Sequence, residues 1–309
     1  MAMLSFETGV CVCDLQGSSM IYNDDDLSHF EKYGAEPLPR AAQDGHVAHA
    51  GANIWYSIYG SGPTVILLHG GLGNSGNWGY QVPALANHGY SVLAIDTRGH
   101  GRSTRDHQPF SYELLASDVL AVMDSLDLAQ AALVGWSDGA CTSLVMARRV
   151  PQRVTGVFFF ACNMDPSGAK PFKSTPVIAH CFARHKRDYA ELSATPAQFD
   201  GLVKDVTQMQ TPQPNFSKQD LMDIHVPVMI VQSEHDEFIK SEHARYLAQS
   251  IPGASFTLIR DVSHFAPLQR PDQFNDLILD FLHKVSRNEA TPSPNGGGRF
   301  QTNQKERSR

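Results

Sequence analysis

Short, almost unbroken apolar runs recur along the chain, each followed by a stretch whose apolar residues return every three or four positions. "NIWYSIYG" alternates with period two, as a half-buried strand does, and "TVILLHG" reads as a short buried strand. "YSVLAIDTRG" is another, preceded by the helical "QVPALANHG". In "SYELLASDVLAVMDSLDL", Leu114, Leu115, Asp118, Val119, Val122 and Leu126 share one helix face. Then come strand "AALVGW", a helix "GACTSLVMARRV" stopped by Pro151, and strands "VTGVFFFAC", "VPVMIVQ" and "SFTLIRD". A last helix starts near Pro271 with Phe274, Leu277, Ile278 and Phe281 on one side. Strands alternating with helices this regularly predict an α/β fold, a mostly parallel sheet with helices on both faces.

The rhythm breaks in three places. From 163 to 225 there is no strong buried strand, only amphipathic pieces separated by Pro166, Pro171, Pro176, Pro196, Pro212 and Pro214. That is too long for a plain connection and predicts a small helical cap inserted before the penultimate strand. Residues 1–45 are polar and acidic and read as an N-terminal extension outside the main core. Residues 286–309, rich in Pro, Gly and polar side chains, read as a disordered tail. The core is thereby expected in two parts, 46–162 and 226–285. "HVAH" at His46 to His49 reads as a solvated strand edge in one or two extra antiparallel strands ahead of "TVILLHG".

Composition narrows the function. With 42% hydrophobic and 18% charged residues, the chain is an ordinary globular enzyme by class, and its net charge of −7 argues against a nucleic-acid partner. No apolar run approaches the ~20 residues that span a bilayer, and no secretory leader is expected, so membrane association is not predicted. The cysteines, Cys11, Cys13, Cys141, Cys162 and Cys181, are odd in number and form no C-x-x-C pair. Neither a disulfide framework nor a metal site follows, and a reducing, cytoplasmic compartment is expected. Nothing in the pattern sets an oligomeric state.

The chemistry concentrates at strand ends. "LVGWSDGA" places Ser137 in a G-x-S-x-G between a predicted strand and a predicted helix, where small flanking residues allow a sharp turn to push Oγ outward. A serine hydroxyl needs a base, and the base an orienting carboxylate. The order Ser, Asp, His is met by Asp236 in "SEHDEFI" and His264 in "VSHFAPLQ", both just past strand ends. Asp165, after the preceding strand, competes for the acid's place, with Glu234 and Glu237 behind it. A rival reading starts from "HGGLGNSGNW". There Gly71, Gly73 and Gly76 satisfy G-x-G-x-x-G after a strand, and Asp96 follows about 20 residues on, as in a dinucleotide site. That reading leaves the serine turn, Asp236 and His264 unexplained, so Arg98 and His100 near Asp96 are assigned structural roles.

Taken together, "LLHGGLG", "DTRGHGRS", "GWSDGA", "HDEFI" and "DVSHFAPLQ" resemble the α/β-hydrolase family, in its order, from about residue 50 to 285. In detail the chain is similar to capped serine esterases and lactonases with a G-W-S-D-G elbow, departing from them at Ala140, where a second glycine is frequent. The resemblance implies a triad of Ser137, His264 and Asp236. It also implies an oxyanion hole from the backbone N–H of Gly71, or its neighbour Leu72, with that of Asp138. Leu72, Trp78, Trp136 and Phe265 are pocket candidates beside the motifs, and Phe172, Ile178, Phe182, Phe199 and Met209 are candidates from the cap. His180, Arg184, His185, Lys186 and Arg187 form a basic stretch that could meet a carboxylate. The expected reaction is hydrolysis of a small to medium hydrophobic ester or lactone through an acyl-enzyme, without metal or organic cofactor. Carbon–carbon bond hydrolysis, cofactor-free perhydrolysis and a receptor-like binder with little turnover are the alternatives.

Overall fold

The computed structural model describes residues 23–289. Cys11, Cys13 and most of the expected tail lie outside the described residues. Eight strands build one sheet: β1 (Gln43–His49), β2 (Ala52–Gly60), β3 (Thr64–Leu68), β4 (Ser91–Ile95), β5 (Ala131–Trp136), β6 (Val154–Phe160), β7 (Val228–Ser233) and β8 (Ser255–Ile259). Their spatial order is β1-β2-β4-β3-β5-β6-β7-β8. β1 and β2 run antiparallel to their neighbours, and β3 to β8 are mutually parallel. Period-two alternation divides each central strand between two cores. Ile66, Leu68, Leu133, Val157 and Phe159 face one, while Val65, Leu67, Val134, Phe158 and Phe160 face the other. Because both faces are buried, these strands read as continuous apolar runs.

Ten helices accompany the sheet among the described residues: α1 (Ser28–Tyr33), α2 (Gln81–Asn87), α3 (Tyr112–Ser125), α4 (Asp138–Arg149), α5 (Pro176–Leu192), α6 (Phe199–Gln210), α7 (Lys218–Met222), α8 (Ser241–Ser250), α9 (Ala266–Gln269) and α10 (Pro271–Glu289). α3, α4 and α8 cover one face, and α2 and α10 the other. α5, α6 and α7 occupy the stretch between β6 and β7. Of these, α7 carries the buried Leu221 back into the first core, next to Ile224. None of the helices among the described residues is long and apolar enough to cross a membrane.

Two expected boundaries move. α10 continues past 285 to Glu289, and β1 begins at Gln43, ahead of the expected division at 45. The larger correction concerns the N-terminal extension, whose described part is built into the core. Leu27 (0% exposed) and Phe30 (2%) are buried with the α2 and α10 side chains. The acidic run that suggested an extension outside the main core caps α1: Asp24 accepts the backbone N–H groups of His29 and Phe30 at 3.1 and 2.8 Å. α1 then packs on α5, where Arg187 donates to the Glu31 carbonyl at 2.7 Å.

Truncating Phe30 to alanine is therefore expected to destabilise the protein by about 3–5 kcal/mol. Urea unfolding checks this, and a loss under about 1 kcal/mol would return the segment to the surface.

Candidate active site

Ser137 sits on the turn from β5 to α4 with φ 55° and ψ −120°, a left-handed backbone for a residue with a side chain. Two glycines make that turn sterically possible. A Cβ on Gly135 would lie 2.4 Å from the Gly139 carbonyl oxygen, and one on Gly139 would lie 2.0 Å from that of Leu68. The serine amide is tied to the Phe160 carbonyl at 2.9 Å, so the turn is pinned to β6 as well. Ser137 is half-buried and faces a cavity of about 680 Å³ that His264 also lines.

His264 follows β8, and its Nδ1 donates to Asp236 Oδ2 at 2.9 Å. The second oxygen of Asp236 accepts the backbone N–H groups of Phe238 and Ile239, both at 2.8 Å, which fixes the carboxylate plane. Lys170 Nζ holds the Asp236 carbonyl at 2.6 Å, Glu237 accepts the His264 backbone N–H at 3.0 Å, and Trp136 Nε1 donates to the His264 carbonyl at 3.0 Å. Burial alone would lower the imidazole pKa. The charges of Asp236, Glu237 and Asp138, with the Asp236 hydrogen bond, outweigh burial and raise it. Asp165 is occupied elsewhere. It accepts the Ser167 N–H at 2.9 Å and stands 3.8 Å from His243, on a different loop.

The stretch after β3 packs directly on the serine turn. A Cβ on Gly70 would lie 3.2 Å from that of Ser137, and one on Gly71 would lie 2.7 Å from Asp138 Oδ2. His69 sets this loop. Its Nε2 accepts the Thr97 amide at 3.1 Å, and since an amide N–H only donates, Nδ1 carries the proton and gives it to the Gly70 carbonyl at 2.7 Å. Among the described residues, no protein acceptor engages the N–H of Gly71, Leu72 or Asp138. The dinucleotide-like glycines serve a tight turn instead. Gly73 donates to the Gly70 carbonyl, and Asn74 and Asn77 cap each other across a short 3₁₀ helix. Asp96 is consumed structurally, accepting the Ser75 and Arg102 amides at 2.7 and 2.8 Å. Arg98 is buried against Asp118 at 2.6 Å and the carbonyls of Ala50 and His49. Burial and the neighbouring His69 lower the His100 pKa to about 3, so that ring is neutral.

Asp138 is the unusual charge. Its carboxyl is buried, and its partners are neutral: the Tyr112 hydroxyl at 2.7 Å and Gln210 Nε2 at 3.0 Å. Burial raises its pKa, while those two donors pull it back. A possible cation cluster, Glu234, His235 and Asp261, is exposed, and none of its members lines the cavity.

The sequence profile of the α/β-hydrolase fold matches residues 63–174. Serine hydrolase BPHL of Mus musculus is 27% identical over 266 residues, spanning 80% of this chain and 90% of that protein. Among solved structures, Est816, an N-acyl homoserine lactone degrading enzyme, aligns with a TM-score of 0.62 at 29% identity, covering 77% of this chain and 100% of that one. The enol-lactonase of Burkholderia xenovorans LB400 gives a TM-score of 0.61 at 25% identity, again covering 77% and 100%. The chain has the α/β-hydrolase fold and is similar to serine hydrolases and lactonases of that superfamily. It is a hydrolase.

In this hydrolase, Leu72, Trp136 and Phe265 lie on the cavity wall, and Trp78 does not. Trp78 is wholly buried behind Trp136, edge-on to it at 6.0 Å, and packs on Phe274. The 3₁₀ turn of residues 75–78 rotates it inward, which proximity to the motif could not reveal. Of the cap candidates, Phe172 and Phe182 reach the cavity, whereas Ile178, Phe199 and Met209 fill the cores. Only His185 of the basic stretch lines it, and burial first, then His69 and Arg184, lower its pKa to about 3. Arg184 pairs with Asp188 at 2.6 Å, Arg187 with the Glu31 carbonyl, and His180 with that of Asp26; Lys186 stands 3.9 Å from Asp200. The sequence reading missed Tyr112, Gln210, Gln213 and Phe238. Only Phe238, two residues after Asp236, carried a signal that could have found it.

Gly139→Ala, which drives a methyl into the Leu68 carbonyl, is expected to cost about 3 kcal/mol or more in chemical denaturation. Wild-type stability in that variant would show that the turn is looser than described.

Proposed function

We propose that this hydrolase cleaves carboxylic esters or lactones through an acyl-enzyme on Ser137. The observation that carries the reading is the 2.9 Å hydrogen bond from His264 Nδ1 to Asp236, on a histidine that shares its cavity with the strained Ser137. In this mechanism neutral His264 takes the Ser137 proton through Nε2 as Oγ attacks the scissile carbonyl. Asp236 keeps Nδ1 protonated and stabilises the imidazolium. The unengaged N–H groups of Gly71 or Leu72 and of Asp138 receive the oxyanion, a contribution of about 3 kcal/mol per donor. The imidazolium then protonates the leaving alkoxide. A water activated by His264 attacks the acyl carbonyl, and the acid departs with Ser137 restored. The esterase and lactonase likenesses support the ester or lactone class, and the aromatic wall of Phe182, Phe238 and Phe265 suits a hydrophobic acyl group.

A fluorophosphonate probe is expected to label the wild type and to fail on Ser137→Ala and His264→Ala. Labelling of Ser137→Ala would move the nucleophile elsewhere. Asp236→Asn is expected to lower kcat by about 10⁴, because it favours the wrong tautomer. Asp165→Asn is expected to leave kcat within about threefold. The reverse ranking would make Asp165 the acid.

The base works only when neutral, so kcat/KM rises with pH through the titration of His264. With that pKa raised, the midpoint of the acid limb is expected above 6.5, and removing the Asp236 charge moves it down. A wild-type midpoint below 6.5, measured on an ester whose own ionisation is silent, would contradict the assignment.

A further inference from the structure

Two cysteines meet beside the serine turn, one from each of the elements that pin it. Cys141 lies in the first turn of α4, and its backbone N–H donates to the Ser137 carbonyl at 3.1 Å. Cys162 follows β6 by two residues, and the Ser137 amide is tied to the last residue of that strand, Phe160, at 2.9 Å. The two cysteines are 21 positions apart in sequence, and their sulfurs stand 2.8 Å apart. Both are free thiols, 0% and 3% exposed. A third partner assigns their protons. Cys141 Sγ lies 3.1 Å from the Asn163 carbonyl, which only accepts, so the Cys141 proton points there. The Cys162 thiol is then the donor between the sulfurs, and Cys141 turns a lone pair toward Cys162. Of the two, Cys162 lines the cavity that Ser137 also lines, and Cys141 does not.

A disulfide measures about 2.05 Å between its sulfurs, so these two become bonded by closing less than about 1 Å. The proposed hydrolysis uses neither sulfur. We propose that Cys141 and Cys162 form a redox site for small hydroperoxides, in which Cys162 is oxidised from the cavity and Cys141 closes a reversible disulfide. In the first step the Cys162 sulfur attacks one oxygen of hydrogen peroxide. An S–O bond forms, the O–O bond breaks, and the other oxygen leaves as water with the thiol proton. In the second step Cys141 Sγ attacks the Cys162 sulfur, the S–O bond breaks, and the hydroxyl leaves as water with the Cys141 proton. The two sulfurs together lose two electrons, and one peroxide gains them. A small dithiol reverses the bond by thiol–disulfide exchange. Burial, followed by the Cys162 contact, raises the Cys141 thiol well above its ordinary range, so it stays protonated until the sulfur beside it becomes electrophilic. The roles separate accordingly: Cys162 meets the solute, and Cys141 resolves the product. Without Cys141, a sulfenic acid on the cavity wall goes on to the sulfinic acid, which thiols do not reduce.

The test treats the folded, full-length protein with hydrogen peroxide, blocks the remaining thiols with iodoacetamide under denaturing conditions and maps the tryptic peptides by mass. Trypsin leaves Cys141 in a peptide of residues 106–148 and Cys162 in one of 154–173, each with a single cysteine. The expected product joins these two peptides, lighter than their sum by two hydrogens, and dithiothreitol separates them. Cys181, buried and absent from the cavity wall, is expected to stay a thiol in the same sample. Cys141→Ser keeps a donor for the Asn163 carbonyl but offers no second thiol. In that variant dimedone is expected to trap a sulfenic acid on Cys162. Longer treatment without dimedone is expected to add two oxygens that dithiothreitol does not remove. In Cys162→Ser, Cys141 is expected to remain open to alkylation through the same treatment. Peptides that stay separate in the peroxide-treated wild type would overturn the proposal, and this readout decides it even where a variant fails to fold. Equal oxidation of the remaining sulfur in the two single variants would overturn the assignment of Cys162 as the sulfur attacked.

Discussion

At Gly139 the first turn of α4 rests so closely on the end of β3 that no side-chain atom fits between them. The carboxyl end of the sheet depends on that contact. It forces the chain to reverse within a few residues after β5, which places Ser137 in a backbone region costing about 1–3 kcal/mol. It also seats the Gly70–Leu72 stretch against the serine, because β3 and α4 cannot touch without bringing that stretch alongside. The strain persists because the surroundings over-determine the turn. All six residues of β5 are buried, and the serine amide and carbonyl are bonded to β6 and to α4.

Most of this was legible from the sequence because it is local. Buried parallel strands announce themselves as unbroken apolar runs, and the serine turn requires small residues at fixed spacing. Asp236 and His264 stood out because each follows such a run by only a few residues. The arm around Phe30 was not legible, since its two buried apolar residues lie among acids whose capping role exists only after α1 has packed on α5. Trp78 failed for a related reason: neighbourhood in sequence says nothing about which way a 3₁₀ turn faces. Gln210 and Gln213 carry no periodic signature at all. Their partners are Asp138 and Tyr112, which are distant in sequence and adjacent only in the folded chain.

The buried acids at this end of the sheet illustrate how environment separates residues of one type. Asp118 meets a buried guanidinium, and Asp96 meets backbone amides, so both charges are used in holding the β4 turn. Asp236 meets two amides and an imidazole, an arrangement that orients a ring. Asp138 is held by the Tyr112 hydroxyl and the Gln210 carboxamide, and its charge is felt by His264, whose pKa it helps to raise. In the proposed mechanism the residue that offers a backbone N–H to the oxyanion therefore also tunes the base, through a side chain pointing the other way.

The arm adds a mechanical constraint. The Asp26 carbonyl accepts His180 Nδ1 of α5 at 2.7 Å, while the adjacent Asp25 carbonyl accepts Gln269 Nε2 of α9 at 2.7 Å. Gln269 in turn accepts the Ser263 amide at 2.8 Å through Oε1, one residue before His264. A helix over the cavity and the loop that carries the imidazole are therefore bonded to adjacent peptide units of one short segment. α5 cannot swing away from the sheet without breaking the His180 bond or dragging Asp25, and with it Gln269, along. Since Leu27 and Phe30 are locked in the core beneath, dragging is the costlier course. α6 is anchored by other means: Gln210 bonds Asp138, Asp205 pairs with Arg105 at 3.1 Å, and Leu202, Val206 and Met209 are buried in the first core.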